Sequence, residues 1–174
     1  METRPLLALV EAAVACAQGT ATRILVNDRL DVALAARAHG VHLPAHGLPV
    51  AEVRRGYPEL LIGVSCHDLA ELRAAEGGGA DFAVFGPVFA PLSKELDRPP
   101  VGVERLAEAV RVARIPVLAL GGITVENAAE CLSAGAAGLA GISLFQKSAD
   151  LGGTVAQLRA LGQKGESKKD DFRG

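Results

Sequence analysis

Residues that could bind a phosphate or a metal recur along the chain, each within, at the end of or in the loop after an apolar run. They are Asn27-Asp28, His42, Ser65, His67, Ser93-Lys94, Gly121-Gly122 and Ser143. Asp28 offers the hard oxygen ligand that suits Mg²⁺, and Lys94 offers a charge that neutralises phosphate. The glycine pair lets backbone approach an anion, and a helix following it would present free N–H groups. The pattern indicates a site for phosphorylated ligands.

Taken singly, each of these residues also has a plain structural explanation. An Asn-Asp pair often caps a helix, and a glycine pair often forms a turn. His42 lies within an apolar strand, where a buried, hydrogen-bonded histidine is as good an explanation as a catalytic one. We expect Cys66 to be a small buried residue and Arg54-Arg55 to lie on a solvated face. The shared location after successive apolar runs is what favours a functional interpretation.

The apolar runs and the stretches between them predict alternating strands and helices. The predicted strands are Arg23–Asn27, Gly40–Leu43, Leu61–Cys66, Phe82–Val88, Pro116–Leu120 and Gly138–Ile142. The predicted helices are Leu6–Ala17, Leu30–Ala38, Val50–Tyr57, Asp68–Glu76, Val103–Ala113, Val125–Ser133 and Thr154–Leu161. Nearly continuous apolar strands are typical of parallel sheets that are buried on both faces. The order fits an open doubly wound sheet or a closed (β/α)8 barrel.

Short turns containing glycine are predicted where three helices return the chain to a strand. They lie at Ala38-His39-Gly40, Gly79-Ala80-Asp81 and Gly135-Ala136-Ala137-Gly138. Glycine adopts the left-handed conformation that ends many helices at little cost. These turns therefore mark boundaries between helices and strands and not binding sites.

Length and composition indicate one globular domain over residues 1–162 and a disordered, charged tail over 163–174. The chain has 174 residues, 49% of them hydrophobic, and its mean hydropathy is +0.27. Its net charge of -2 and its 3% of aromatic residues argue against nucleic acid and anionic membranes as partners. Three widely spaced cysteines indicate neither disulfides nor zinc, so we expect a cytoplasmic protein. Glu11 interrupts the apolar run Pro5–Ala17, which argues against a signal peptide.

Six short motifs occur in the order found in the thiamine phosphate synthase / TenI family, which the chain resembles over roughly Leu6 to Phe145. They are Val26-Asn27-Asp28-Arg29, Gly40-Val41-His42-Leu43, Gly63-Val64-Ser65, Gly86-Pro87-Val88-Phe89, Gly121-Gly122-Ile123 and Ile142-Ser143. The resemblance implies a TIM-type (β/α)8 barrel that here lacks the first two strands and the first helix. It also implies an enzyme that couples hydroxymethylpyrimidine pyrophosphate to thiazole phosphate and releases pyrophosphate, with Mg²⁺ as the cofactor.

The resemblance also implies a role for each candidate residue. Asn27 and Lys94 would be catalytic and, together with Ser65, would hold the pyrophosphate. Asp28 would bind Mg²⁺, and His42 would line the pyrimidine pocket. The thiazole phosphate would be held by the backbone of Gly121, Gly122, Ile142 and Ser143, and Ser93 stands where the family often has Thr.

Three departures from the family pattern keep other functions open. Gly47 replaces a second metal-binding Asp, and the loop Ala90–Lys94 has one hydroxyl fewer than usual. The family's Gln-x-Arg-x-Lys segment is absent, so we expect either an upstream start or a homo-oligomer that covers the missing strands. The alternatives to the synthase are a non-catalytic thiazole-phosphate binder or regulator, and a TenI-type thiazole tautomerase. Pro87 stands where a tautomerase carries its His, which argues against the latter.

Overall fold

The computed structural model describes residues 2–90 and 99–170, with side chains through 162. It has an α/β fold with a six-stranded sheet in which the strands follow in the order β1 to β6. The strands are β1 (Leu25–Asn27), β2 (Gly40–Leu43), β3 (Leu61–Cys66), β4 (Phe82–Phe85), β5 (Val117–Leu120) and β6 (Gly138–Ala140). The helices are α1 (Thr3–Ala17), α2 (Leu30–Ala35), α3 (Val50–Gly56), α4 (Leu69–Gly77), α5 (Gly102–Val112), α6 (Ala128–Ser133), α7 (Ser143–Gln146) and α8 (Leu151–Asp170). Among the described residues, no helix is long and apolar enough to cross a membrane.

The predicted alternation of strands and helices is confirmed, with differences at several boundaries. Strand β4 stops at Phe85 instead of Val88, because Pro87 has no N–H to donate to a strand ladder. Helix α7 was not predicted, since four residues are too few to show a helical period. Helix α8 runs to Asp170 and so enters the segment predicted to be a disordered tail. The prediction of disorder for the rest of that tail stays a prediction.

The chain forms two compact units, which are described separately. Unit 1 comprises Met1–Cys66 and Ala70–Ala83, and unit 2 comprises His67–Leu69 and Val84–Gly174. In unit 1, β2 pairs in parallel with β1 and with β3. In unit 2, β5 pairs in parallel with β6.

The register of β1 to β3 gives the sheet of unit 1 two different faces. One face is apolar and buried, and its residues are Val26, Val41, Leu43, Ile62, Val64 and Cys66. Val26 packs in a cluster with residues of α1 and α2, among them Val10 and Val32. On the other face, Asn27 pairs with His42 and His42 pairs with Gly63, followed two residues later by Ser65. Because this face is only partly buried, the prediction of strands buried on both faces is wrong for unit 1.

Two of the three predicted helix-ending turns use glycine as expected. Gly79 and Gly135 have φ angles of +90° and +94°, in the left-handed region. In the third turn, Arg37 takes that conformation with φ +51°. Gly40 is needed there for a different reason, because a Cβ atom at this position would overlap the carbonyl of Leu61 on the neighbouring strand.

Arg54 joins the elements at the amino ends of β3 and β4 in unit 1. Its side chain donates to the carbonyl oxygens of Pro58 at 2.6 Å, Leu60 at 2.9 Å and Gly79 at 3.1 Å, and to Asp81 Oδ2 at 2.7 Å. Asp81 Oδ2 also accepts the N–H of Ile62 at 2.7 Å. The prediction of a solvated face is therefore wrong for Arg54, whereas Arg55 is exposed as expected.

Candidate functional site

The carboxyl end of β1 carries two exposed polar residues, Asn27 and Asp28. Asp28 has φ +60°, and its N–H donates to the carbonyl of His42 at 2.8 Å. Asp is one of the few residue types that adopt the left-handed region readily. The backbone bond to β2 therefore fixes Asp28 where the strand ends, and its carboxylate is open to solvent.

His42 and Ser65 lie on the polar face of the same sheet and contact each other directly. His42 Nε2 and Ser65 Oγ are 2.8 Å apart, and both residues are half-buried. Burial lowers the pKa of His42 below its usual value of 6.5, which favours a neutral imidazole. Gly63 makes room for this arrangement, because a Cβ atom there would lie 2.8 Å from His42 Nδ1 and would overlap the ring of Phe82. The residues of unit 1 that were predicted for the site thus lie together.

A cavity of about 480 Å³ in unit 1 reaches Ser65. It is lined by the loop after β2 from Pro44 to Ala51, by Val64 and by residues of α4. The loop makes a tight turn in which the N–H of Gly47 donates to the carbonyl of Pro44 at 3.0 Å. A Cβ atom on Gly47 would lie only 2.9 Å from Pro44 Cδ, so a side chain at this position would require the turn to shift.

Among the described residues, no group of three or more His, Cys, Asp and Glu side chains is close enough to hold a metal ion. Asp28 therefore belongs to no such group in the described part of the chain, and substrate oxygens or water could supply further ligands to a Mg²⁺ ion held there. Cys66 is fully buried, which confirms its predicted place in the core. Ser93 and Lys94 lie outside the described residues.

In unit 2, both glycines of the Gly121-Gly122 turn have positive φ angles, +97° and +59°. The space beside them is also closed. A Cβ atom on Gly121 would overlap Pro87, and one on Gly122 would lie 2.6 Å from the carbonyl oxygen of Ala90. Phe89 donates its N–H to the carbonyl of Gly121 at 3.0 Å. Both conformation and packing thus require glycine at these two positions.

Helix α6 begins at Ala128 and not at the predicted Val125, so a turn of three residues separates it from Thr124. The N-terminus of α6 therefore does not follow the glycine pair directly. Among the described residues, the backbone N–H groups of Gly122 and Ile123 have no hydrogen-bond acceptor. These two N–H groups belong to the turn and not to the N-terminus of α6.

A second cavity, of about 270 Å³, lies beside this turn within unit 2. It is lined by Ile123, Thr124, Val125, Glu126, Ser143, Leu144, Lys147, Ser148 and Thr154. The predicted residue Ser143 begins α7, and the neighbouring Ile142 is 67% exposed. Of the predicted phosphate residues of unit 2, Ser143 lines this cavity, whereas Gly122 and Ile142 are next to lining residues in the sequence and Gly121 precedes Gly122.

Sequence reasoning missed two residues of this region, Lys147 and Asn127. Lys147 is exposed, lines the cavity and follows Ser143 by four residues, which is the spacing of one helical face. That spacing was uninformative without a predicted helix at Ser143. The Asn127 side chain bonds to the glycine turn, and its signal was the Thr-x-x-Asn spacing from Thr124, a variant of a helix-capping sequence.

Comparisons with known proteins agree with this arrangement. The sequence model of the thiamine monophosphate synthase family matches residues 1–145. The chain is 46% identical over 162 residues to a putative thiamine-phosphate synthase of Geobacter sulfurreducens, covering 92% of this chain and 76% of that protein. It is 42% identical over 173 residues to the thiamine-phosphate synthase of Anaeromyxobacter dehalogenans, covering 97% and 78%. The solved structure of thiamine phosphate pyrophosphorylase from Pyrococcus furiosus matches with a TM-score of 0.86 at 33% identity, over 95% of this chain and 79% of that one. The chain therefore belongs to the thiamine monophosphate synthase family, as its short motifs indicated.

Proposed function

We propose that this protein is a thiamine phosphate synthase, which joins hydroxymethylpyrimidine pyrophosphate to thiazole phosphate and releases pyrophosphate. The observation that carries the proposal is the position of the family match. It covers residues 1–145, and every candidate residue, from Asn27 to Ser143, lies within it. Both substrates are small and phosphorylated, in keeping with the polar residues at the strand ends.

Unit 1 holds the pyrophosphate of the pyrimidine substrate in this proposal. The amide of Asn27 and the hydroxyl of Ser65 donate hydrogen bonds to the leaving group. The family resemblance assigns the same task to Lys94, which lies outside the described residues. When the neutral His42 donates through Nε2 to Ser65 Oγ, the Ser65 hydroxyl proton is left free for a phosphate oxygen. The reaction needs positioning and charge stabilisation more than covalent work by the protein.

Unit 2 holds the thiazole phosphate. This phosphate is bound by the N–H groups of Gly122 and Ile123, which have no acceptor in the described part of the chain, and by the backbone at Ile142 and Ser143. Lys147, at the same cavity, adds a positive charge that the family resemblance does not supply.

Mg²⁺ is the cofactor that the family implies, and the donor set of this chain is compatible with it. Mg²⁺ in phosphate-transfer sites is commonly bound by one or two carboxylates together with substrate oxygens and water. Asp28 provides one such carboxylate, and Gly47 provides none. When bound, the ion neutralises charge on the departing pyrophosphate. Asp28 would hold it while Asn27 and Ser65 orient the phosphate groups.

The same proposal extends to the fold. The six strands are part of a TIM-type (β/α)8 barrel, in which parallel strands bring their active residues to the carboxyl ends. The likeness to the Pyrococcus furiosus structure, with its TM-score of 0.86, supports this extension.

The test is pyrophosphate release by the purified chain, given both substrates with and without Mg²⁺. We expect release that depends on Mg²⁺ and falls by about 100-fold in Asp28→Asn, the upper end of losses seen when a metal site is perturbed. Glu11→Gln, which removes an exposed carboxylate from the same unit, should match the unmodified protein. Unchanged release in Asp28→Asn contradicts the role of Asp28, and no release by the unmodified protein contradicts the synthase.

A non-catalytic binder is the second candidate, favoured by the closed turn at Gly47. Its signature is a rise in melting temperature with thiazole phosphate and no turnover, because ligand binding to the native state stabilises it. Isomerisation of a carboxythiazole phosphate without Mg²⁺ would instead indicate a tautomerase.

A further inference from the structure

The side chain of Asn127 bonds to the glycine turn of unit 2 at two points. Its Nδ2 donates to the carbonyl of Gly122 at 2.9 Å, and its Oδ1 accepts the N–H of Thr124 at 2.8 Å. The N–H of Asn127 in turn approaches Thr124 Oγ1 at 3.4 Å. One amide group therefore binds a carbonyl before Ile123 and an N–H after it.

These bonds determine which backbone groups of the turn remain for a ligand. The carbonyl of Gly122 and the N–H of Thr124 are both engaged by Asn127. Among the described residues, two N–H groups of the turn have no acceptor: that of Ile123, which lies between the two engaged groups, and that of Gly122, which precedes them. Successive N–H groups in such a turn form a concave site for an anion. Asn127 thus leaves these two N–H groups available to a ligand. It also engages the carbonyl of Gly122, which would otherwise repel a phosphate.

The amide of asparagine is the group that fits this task. The turn requires a donor and an acceptor on one side chain, and an aspartate would offer only acceptors. An aspartate would also place a negative charge against the carbonyl of Gly122 and near the phosphate. Alanine would leave both backbone groups without their partner.

We propose that Asn127 is a positioning residue that keeps the Gly121–Thr124 turn in the shape that binds the thiazole phosphate. Asn127 acts on the loop and not on the reacting atoms. The inference rests on the proposed function for the identity of the ligand. A preformed turn binds more tightly because its ordering does not have to occur on binding.

The test compares Asn127→Ala, Asn127→Asp and the control Glu130→Gln, at an exposed residue of α6, the helix that follows Asn127. We expect the KM for thiazole phosphate to rise about tenfold in Asn127→Ala, while kcat and the KM for the pyrimidine pyrophosphate stay within about twofold. Asn127→Asp keeps an acceptor for Thr124 and loses the donor for Gly122, so it should be impaired at least as much. Glu130→Gln should match the unmodified protein.

A purely structural role would give a different result. Equal rises in both KM values, or an unchanged KM for thiazole phosphate, would overturn the proposal. Hydrogen exchange on the unmodified protein supplies a test that needs no variant. The Thr124 amide should exchange slowly without ligand, and fast exchange at this amide would also overturn the proposal.

Failure of the proposed function can be told apart from failure of this inference. If the unmodified protein releases no pyrophosphate, calorimetric titration with thiazole phosphate replaces the kinetic assay. Binding that is about tenfold weaker in Asn127→Ala supports the inference without the synthase reaction. Equal binding by both proteins, or no binding by the unmodified protein, overturns it.

Discussion

The two ends of the strands in unit 1 use their polar side chains in opposite ways. At the amino ends, Arg54 and Asp81 contact each other and bond to the surrounding backbone. At the carboxyl ends, the side chains of Asn27 and Asp28 are exposed, and His42 and Ser65 contact each other beside a cavity. Polar groups at the amino edge form hydrogen bonds within the protein, and those at the carboxyl edge are available to a ligand.

This division predicts that substitutions at the two edges affect different properties. In (β/α)8 barrels, the amino ends of the strands typically determine stability and the carboxyl ends carry function. The amino edge should therefore govern the free energy of unfolding. The carboxyl edge should govern activity with little effect on unfolding.

The largest effect is expected at the amino edge. Arg54→Ala should lower the free energy of unfolding by about 2 kcal/mol, because it removes four hydrogen bonds and leaves Asp81 without its cation. The expected loss in the free energy of unfolding is smaller than for a fully buried ion pair, since the side chains of Arg54 and Asp81 are 25% and 39% exposed. Urea unfolding measures the change.

The adjacent Arg55 provides the matched control. Its side chain is 75% exposed and pairs with Glu52 on the same helix, so Arg55→Ala should change the free energy by less than about 0.5 kcal/mol. Equal losses in the two variants would show that the amino edge has no special role in stability.

An intermediate effect is expected at Ser65. Ser65→Ala should lower kcat/KM for the pyrimidine pyrophosphate by about tenfold, which corresponds to the loss of one hydrogen bond to a charged group. Its melting temperature should change little, because Ser65 is half-buried and its side chain bonds to His42 rather than to the backbone. Steady-state kinetics and thermal unfolding on the same samples separate the two properties.

Ser133→Ala, at the exposed end of α6, is the control for Ser65. It should leave kcat/KM unchanged. A Ser65→Ala protein that is fully active but less stable would reverse the proposed division between the edges.

The smallest effect is a pH dependence of stability at His42. Burial lowers the pKa of His42 in the folded protein below its unfolded value of 6.5, so the unfolded chain binds more protons between these two values. The stabilising contribution is fully present above the unfolded pKa and is lost as pH falls through and below it. The melting temperature should therefore fall more between about pH 7.5 and pH 5.5 than it does in His42→Gln.

His46→Gln is the control, because the side chain of His46 is 84% exposed. Its melting temperature should follow that of the unmodified protein across the pH range. A His42→Gln protein with an unchanged pH dependence would contradict the effect of burial on His42.

Much of the fold could be predicted from short-range patterns. The bounds of β2 and β3 match their predictions, because Pro44 directly follows β2 and polar residues directly follow β3, so neither apolar run extends further. The short helix α7 and the delayed start of α6 could not be predicted. The first has too few residues for a period, and the turn before the second is held by a side-chain bond from Asn127.

Much of the candidate site was also visible in the sequence. Asn27 and Ser65 were placed at strand ends and His42 within a strand, and parallel pairing then puts them on one face. Lys147 and Asn127 were missed, because their significance depends on neighbours that the turn and α7 bring close. Ser93 and Lys94 stay predictions.

The sequence by itself determined the order of strands and helices, the polar residues that end the strands and the family of the chain. These properties depend on residues that are close along the chain, such as an apolar run followed by Asn27-Asp28. Only the tertiary structure decided that Arg54 is bonded to four acceptors whereas Arg55, its neighbour, is exposed. The physical reason is that a polar group is satisfied by atoms within hydrogen-bond distance, and two of the four acceptors of Arg54, on Gly79 and Asp81, are more than 20 residues away along the chain.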